Sequence, residues 1–212
     1  MGEREAPIEP PETFLAASAE NLPVETVAAW NELSAEIRAC RRCPLGSTRL
    51  QAVVYRGSLA PRIVFVGEAP GAAEDRAGRP FVGRAGHRLD AAIATLGLTT
   101  SDVGILNLLK CRPPENRFDS AAARVCRPYL DRQLALLRPE VLVPLGAHAL
   151  RAIDPEAPPI LRAAGAPRPA ALWAIFPLIH PAATFRSRRL AERWSSDVAR
   201  LAAWLGSSTK AL

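Results

Sequence analysis

The chain has 212 residues, 49% of them hydrophobic, and carries 27 Lys plus Arg against 21 Asp plus Glu, a formal net charge of +6. That is apolar material for one sizeable core, and the excess of Arg favours planar and phosphate-bearing partners such as nucleic acid. No apolar run approaches the roughly 20 residues that span a bilayer, and Met1-Gly2-Glu3-Arg4-Glu5 has no signal core behind it, so no membrane-spanning helix is expected and a reducing, cytoplasmic setting is. Myristoylation is not expected either, because Ala6 stands where Ser or Thr is required.

Residues 1–23 hold Pro7, Pro10, Pro11 and Pro23 with little periodicity and read as a mobile lead-in, leaving residues 24–212 as the domain. Val27, Trp30, Leu33 and Ile37 recur at helical spacing and predict a helix that ends at Cys40-Arg41-Arg42-Cys43-Pro44. Residues 62–66 predict a buried strand, and Gly67-Glu68-Ala69-Pro70-Gly71 turns the chain sharply behind it. Residues 84–96 predict an amphipathic helix stopped by Gly97. A second strand is expected over residues 104–109, followed by a helix capped by Asp119 or Ser120 that must bend or restart near Pro128. Residues 141–146 give a third strand and residues 147–153 a short helix. Residues 154–169 read as a surface connection and 173–179 as a fourth strand. A last helix aligns Leu190, Trp194, Val198, Leu201 and Leu205. Strands alternating with helices predict an α/β fold with a mostly parallel, four-stranded sheet covered on both faces. Ligands of such folds sit at the carboxyl ends of the strands, where the polar motifs of this chain fall.

The four cysteines need an explanation other than disulfides in a reducing compartment. Cys40 and Cys43 have C-x-x-C spacing, and Cys111 with Cys126 completes four soft ligands for one metal centre. Spacing alone leaves zinc and iron–sulfur both open, and with zinc the chain reads as a non-catalytic nucleic-acid-binding module. Either metal would clip the first helix to the segment carrying Arg112, Asn116 and Arg117.

The strand ends supply a second group of residues. The Asn107 amide can accept and donate hydrogen bonds in one plane, which suits a pyrimidine edge. Phe81 offers a flat face on which a base stacks, worth about 1 to 3 kcal/mol in comparable contacts. His180 can donate to an oxygen on which charge grows as a leaving group departs. A carboxylate among Glu68, Glu74 and Asp75 can orient water or stabilise a cationic sugar. Together these are equipment for breaking the glycosidic bond of a nucleoside.

Glu68 to Gly71 with Glu74-Asp75, the run Gly78-Arg79-Pro80-Phe81-Val82-Gly83, the run Asn107-Leu108-Leu109-Lys110-Cys111-Arg112-Pro113-Pro114 with Asn116-Arg117, the cysteine spacing and His180-Pro181-Ala182 resemble the signature of the family 4 uracil-DNA glycosylases. The resemblance implies a three-layer α/β/α sandwich, a 4Fe-4S cluster on Cys40, Cys43, Cys111 and Cys126, and hydrolytic removal of uracil from single- or double-stranded DNA by a monomer. It casts Phe81 as the stacking ring, Asn107 as the reader of the uracil edge and His180 as donor to the uracil oxygen. Gly67, Ala69 and Gly71 then form the backbone of the pocket, and Glu68 and Glu74 stand as equal carboxylate candidates with Asn116 in support. Ala69 occupies a position where the best-studied families carry aspartate, Glu115 replaces a common Gly, and Phe118-Asp119 replaces a common Thr-Pro. The related proteins that become trapped on DNA carry an Arg-rich insertion after Asn116-Arg117; this chain lacks it, so turnover is expected. Arg112, Arg117, Arg186, Arg188 and Arg189 are expected to grip DNA, Lys110 to contact phosphate, and Phe185 to wedge into the gap left by a flipped base.

Overall fold

The computed structural model describes residues 22–207 apart from Thr100 and Ala171. The expected lead-in therefore lies, up to residue 21, outside the described residues. Helix α1 (Val24–Ala39) buries Trp30, Leu33, Ser34 and Ile37. Val27, counted on the apolar face from sequence, is instead 36% exposed, a turn before the buried Trp30. After a helical turn, α2 (Leu45–Thr48), come the strands β1 (Arg56–Gly57) and β2 (Ile63–Gly67). Next follow α3 (Ala72–Ala77), α4 (Arg84–Thr95), β3 (Val103–Asn107), α5 (Ser120–Leu137), β4 (Val141–Pro144) and α6 (Ala147–Ile153). The chain closes with α7 (Ile160–Ala163), β5 (Arg168–Pro169), β6 (Ala174–Ile175) and α8 (Arg188–Ser207).

The strands form one sheet in the order β1-β3-β2-β4-β6-β5. Its parallel centre, β3-β2-β4-β6, is the predicted set of four. The sheet has six strands rather than four because β1 and β5 add antiparallel edges of two residues each. Segments that short cannot show an alternating pattern. Residues 154–169, expected to be plain connection, hold α7 and β5 and bury Ala163 and Ala164. The fourth strand is also shorter than predicted. Pro144 has no N–H to give Phe176, so the ladder is interrupted, and pairing beyond Ile175 continues through Phe176 N–H to Leu142, Leu178 N–H to Pro144 and Gly146 N–H to Leu178.

Alternate residues of the central strands feed two cores. Val64, Val66, Leu106 and Leu142 pack with Trp30 and Ile37 of α1 and Leu130 and Leu134 of α5. Ile63, Phe65, Ile105 and Val143 face the other way, against Leu89 and Ile93 of α4 and Trp194, Val198 and Leu201 of α8. Each such side chain, fully buried, stabilises the fold by about 1.5–3 kcal/mol. The result is the expected three-layer sandwich. Asp119 caps α5 by accepting from Ala122 N–H at 2.9 Å, but the helix runs unbroken through Pro128. Burial of Cys126 before it and of Tyr129, Leu130 and Leu134 after it outweighs the roughly 3 kcal/mol that an interior proline costs. Among the described residues no helix is long and apolar enough to cross a membrane.

Candidate active site

Beyond β2 and β3 the parallel ladder runs on, with Leu108 N–H on the Gly67 carbonyl and Leu109 N–H on the Glu68 carbonyl, each at 2.9 Å. This continuation places Asn107 against Gly67 and opens a cavity of about 380 Å³ at the carboxyl edge of the sheet. Its wall gathers Glu68, Ala69, Gly71, Glu74, Phe81, Asn107, Asn116, His180 and Arg186, residues from five separate stretches of chain. Gly67 lies beneath them. A Cβ there would stand 2.2 Å from Asn107 Oδ1 and 2.6 Å from the Phe81 ring, so only glycine lets those side chains close over the strand end. Phe81 itself takes the left-handed region, φ 53°, and Gly86 admits its carbonyl into the first turn of α4. Its ring lies 5.9 Å from that of His180, tilted by 32°.

Asn107 is 1% exposed, and neither its Oδ1 nor its Nδ2 has a hydrogen-bond partner among the described residues. Leaving such groups unsatisfied costs about 1–3 kcal/mol each, so the amide is arranged for something that enters the cavity. His180 accepts from Ala182 N–H at Nδ1 (3.2 Å), which leaves Nε2 as the protonated nitrogen and a donor. Burial, with the Arg186 charge adding to it, pushes the His180 pKa down to about 4, so the ring is neutral at pH 7.

The two carboxylates, equal from sequence, stand in different surroundings. Glu74, in the first turn of α3, reaches back to the N-cap: Oε2 accepts from Gly71 N–H at 3.0 Å, and Oε1 accepts from Val82 N–H at 3.0 Å and Gly83 N–H at 2.8 Å. It ties the Gly67–Gly71 turn to the loop carrying Phe81. Glu68 accepts no such bonds among the described residues, and burial raises its pKa while His148 opposes that rise. Asp75 does not join the group. It is 4% exposed and accepts from Leu50 N–H at 3.0 Å, facing away from the cavity.

Asn116, also in the left-handed region at φ 55°, accepts from Arg112 Nε at 3.0 Å, so Arg112 braces this wall. Arg117 is exposed and paired with Glu115 at 3.0 Å. Phe185 stands on the rim, 43% exposed, with the Arg84 guanidinium 4.5 Å above its ring.

Behind the Asn107–Cys111 segment lies a second, narrow cavity lined by Cys40, Cys43, Cys111 and Cys126, all free thiols. Among the described residues no three His, Cys, Asp or Glu side chains are grouped to hold a single metal ion, yet all four cysteines share this one space. Four thiols on one cavity are the soft ligands that a soft-metal centre takes. Burial raises the Cys111 and Cys126 thiols, with Arg49 opposing it at Cys111 and Lys110 at Cys126, so each buried sulfur has a cation beside it. Arg49 reaches Cys111 Sγ at 2.9 Å and the carbonyls of Arg38 and Cys40 at the end of α1. Lys110 is not the exposed phosphate contact expected from sequence. It is 1% exposed because it is folded between the two cavities, its Nζ donating to the Asn107 carbonyl at 2.5 Å. Burial lowers its pKa to about 8.

Sequence reasoning passed over Arg49 and His148. Nothing near Arg49 in the chain marks it, because its partners are brought to it by the fold. His148 was findable: it lies just past the end of β4, on the edge searched for other site residues.

Fold and site define an α/β protein with a cavity of mixed polar and apolar lining on its sheet edge, and a family model described as the uracil DNA glycosylase superfamily matches residues 54–204. The chain belongs to that superfamily. It is 41% identical over 177 residues to the type-4 uracil-DNA glycosylase of Archaeoglobus fulgidus, covering 79% of this chain and 88% of the relative. The type-4 enzyme of Thermotoga maritima is 40% identical over 162 residues, 74% of this chain and 83% of that one. The likeness to the type-5 uracil-DNA glycosylase of Mycobacterium tuberculosis is lower, 31% identity over 153 residues, 56% of this chain and 57% of that one.

Proposed function

We propose that this protein excises uracil from DNA, hydrolysing the bond between uracil N1 and deoxyribose C1′ and leaving an abasic site for base excision repair. The observation that carries this reading is the Asn107 amide, buried on the cavity wall with both its donor and its acceptor free of protein partners. Uracil offers N3–H beside O4, the complement of one carbonyl and one amino group.

The uridine leaves the stack, which costs least at a U·G mismatch or in single strands, and lays its base on Phe81 with its edge towards Asn107. As the N1–C1′ bond breaks, the bonding electrons go to the base. Neutral His180 donates from Nε2 to the uracil oxygen that takes up this charge, a stabilisation that grows towards the transition state. The sugar becomes oxocarbenium-like. Glu68, the cavity carboxylate with no backbone N–H groups bound to it among the described residues, faces that cation and guides the water that adds to C1′, whose proton is lost to the carboxylate or to solvent. With Ala69 one position on, this work falls to Glu68. Glu74 serves as the tie that fixes the turn beneath. Lys110 holds the Asn107 carbonyl and with it the register of the reading amide.

The four cysteines are assigned to a 4Fe-4S cluster, supported by the likeness to type-4 enzymes and by the shared cavity. When bound, the cluster supplies thiolate bonds that cross-link α1 to the segment 111–126. Arg84, Arg88, Arg112, Arg117 and Arg186 ring the mouth for phosphate, and Phe185 is the wedge.

The test is incubation with an oligonucleotide holding one uracil, opposite guanine or single-stranded, with released base identified by mass and abasic sites cut by alkali. Free uracil and cleavage at that position are expected. Neither appearing, with folded protein and bound iron, overturns the reading.

A further inference from the structure

We infer that His148, stacked on Phe118, is a positioning residue that holds the Glu68 carboxylate ionised and in place during excision. This rests on Glu68 being the carboxylate that works in the cavity. His148 Nε2 stands 3.9 Å from Glu68 Oε2, and the Glu68 side chain is 29% exposed. The His148 ring in turn lies flat on Phe118, centroids 3.9 Å apart and planes within 18°.

Both anchors are firm. His148 sits in the first turn of α6, fixed behind β4, and Phe118 packs on the core immediately before the Asp119 cap of α5. The stack therefore bridges the loop after Cys111 to the turn after β4, beside Glu68. The other ionisable groups on the cavity wall are engaged elsewhere. Glu74 is held by three backbone N–H groups, while Arg186 and Glu74 act on His180. His148 is thus the basic partner set against Glu68 from a neighbouring element, where it opposes the effect of burial on the carboxylate. The His148 charge opposes the effect of burial on the Glu68 carboxyl, so the stack keeps Glu68 ionised further into acid and extends activity to lower pH.

Phe118 and His148 also account for one another. The sequence departs from the common Thr-Pro pair at Phe118-Asp119, and the aromatic there is what the imidazole rests on.

The experiment is single-turnover excision by cluster-loaded protein on a uracil duplex, followed from pH 5 to pH 8. His148→Gln is expected to slow the chemical step about fivefold at pH 6, leave KM for DNA unchanged and move the acid limb of the profile to higher pH. Phe118→Ala should reproduce part of that shift, and Phe118→Tyr should restore it. Glu68→Gln/His148→Gln should be no slower than Glu68→Gln alone. A His148→Gln profile that overlays the wild type, or losses that add in the double variant, overturns the assignment. If wild-type protein releases no uracil at all, the proposed function falls and takes this assignment with it.

Discussion

Two of the protein's cavities meet at the Asn107–Cys111 segment, and they are finished differently. In the sheet-edge cavity the Asn107 amide has no protein partner and Glu68 accepts no backbone hydrogen bond among the described residues. In the cysteine cavity the reverse holds, since Arg49 donates to Cys111 Sγ and Lys110 stands beside Cys126. Polar atoms left bare in a buried wall carry a standing cost, and that cost is returned each time a complementary molecule enters. Ligands already supplied with counter-charges suit a group that stays. One cavity is shaped for a visitor, the other for a resident, and Lys110 joins them by holding the carbonyl of the residue that reads the visitor.

The sharpest way to break this contrast is at His180. His180→Ala removes a donor aimed at developing charge and should slow single-turnover excision by about 100- to 1000-fold with little change in DNA binding. His180 also links the cavity to stability. With a folded-state pKa of about 4 against 6.5 when unfolded, the unfolded chain binds more protons between those values. Stability is therefore full above pH 6.5 and falls as pH drops towards 4. Chemical denaturation across that window should show the slope in wild type and lose it in His180→Gln.

The two carboxylates give a sharper internal comparison. Glu68→Gln should lower the chemical step by about 10- to 100-fold and leave the melting temperature nearly unchanged. Glu74→Gln keeps only part of three hydrogen bonds and should destabilise the fold by about 2 kcal/mol in urea unfolding, with its rate loss reflecting a loosened Phe81 loop. Equal behaviour of the two variants would contradict the division of labour. At the rim the effect is smaller: Phe185→Ala should slow excision from duplex about tenfold and leave single-stranded DNA nearly untouched, and equal losses on both would remove the wedge. The smallest change expected is a gain. Glu115 holds φ 54°, so Glu115→Gly should relieve about 1 kcal/mol, read as a raised melting temperature.

Much of the fold and site is legible in the chain, for identifiable reasons. Fully buried strands such as Ile63–Gly67 announce themselves as apolar runs, and turn residues behind them mark the binding edge, so residue pattern alone puts Phe81, Asn107 and His180 on one wall. The two edge strands could not be read, because two residues carry no period. Pro128 misled because its local cost is plain in sequence while the burial that overrides it is not. The roles of Glu68 and Glu74 were inseparable for a related reason: what distinguishes them is which N–H groups the fold turns towards each. Lys110 failed in the same way, since a lysine in a basic motif reads as surface until the layers close over it.

The most direct measurement is the single-turnover rate on a U·G duplex for wild type and Asn107→Ala, with iron content matched. If the unpartnered amide is what receives uracil, removing it should cost about 100-fold or more while the cysteine cavity and the fold stay as they were. A variant that excises uracil at the wild-type rate would contradict the account at its centre.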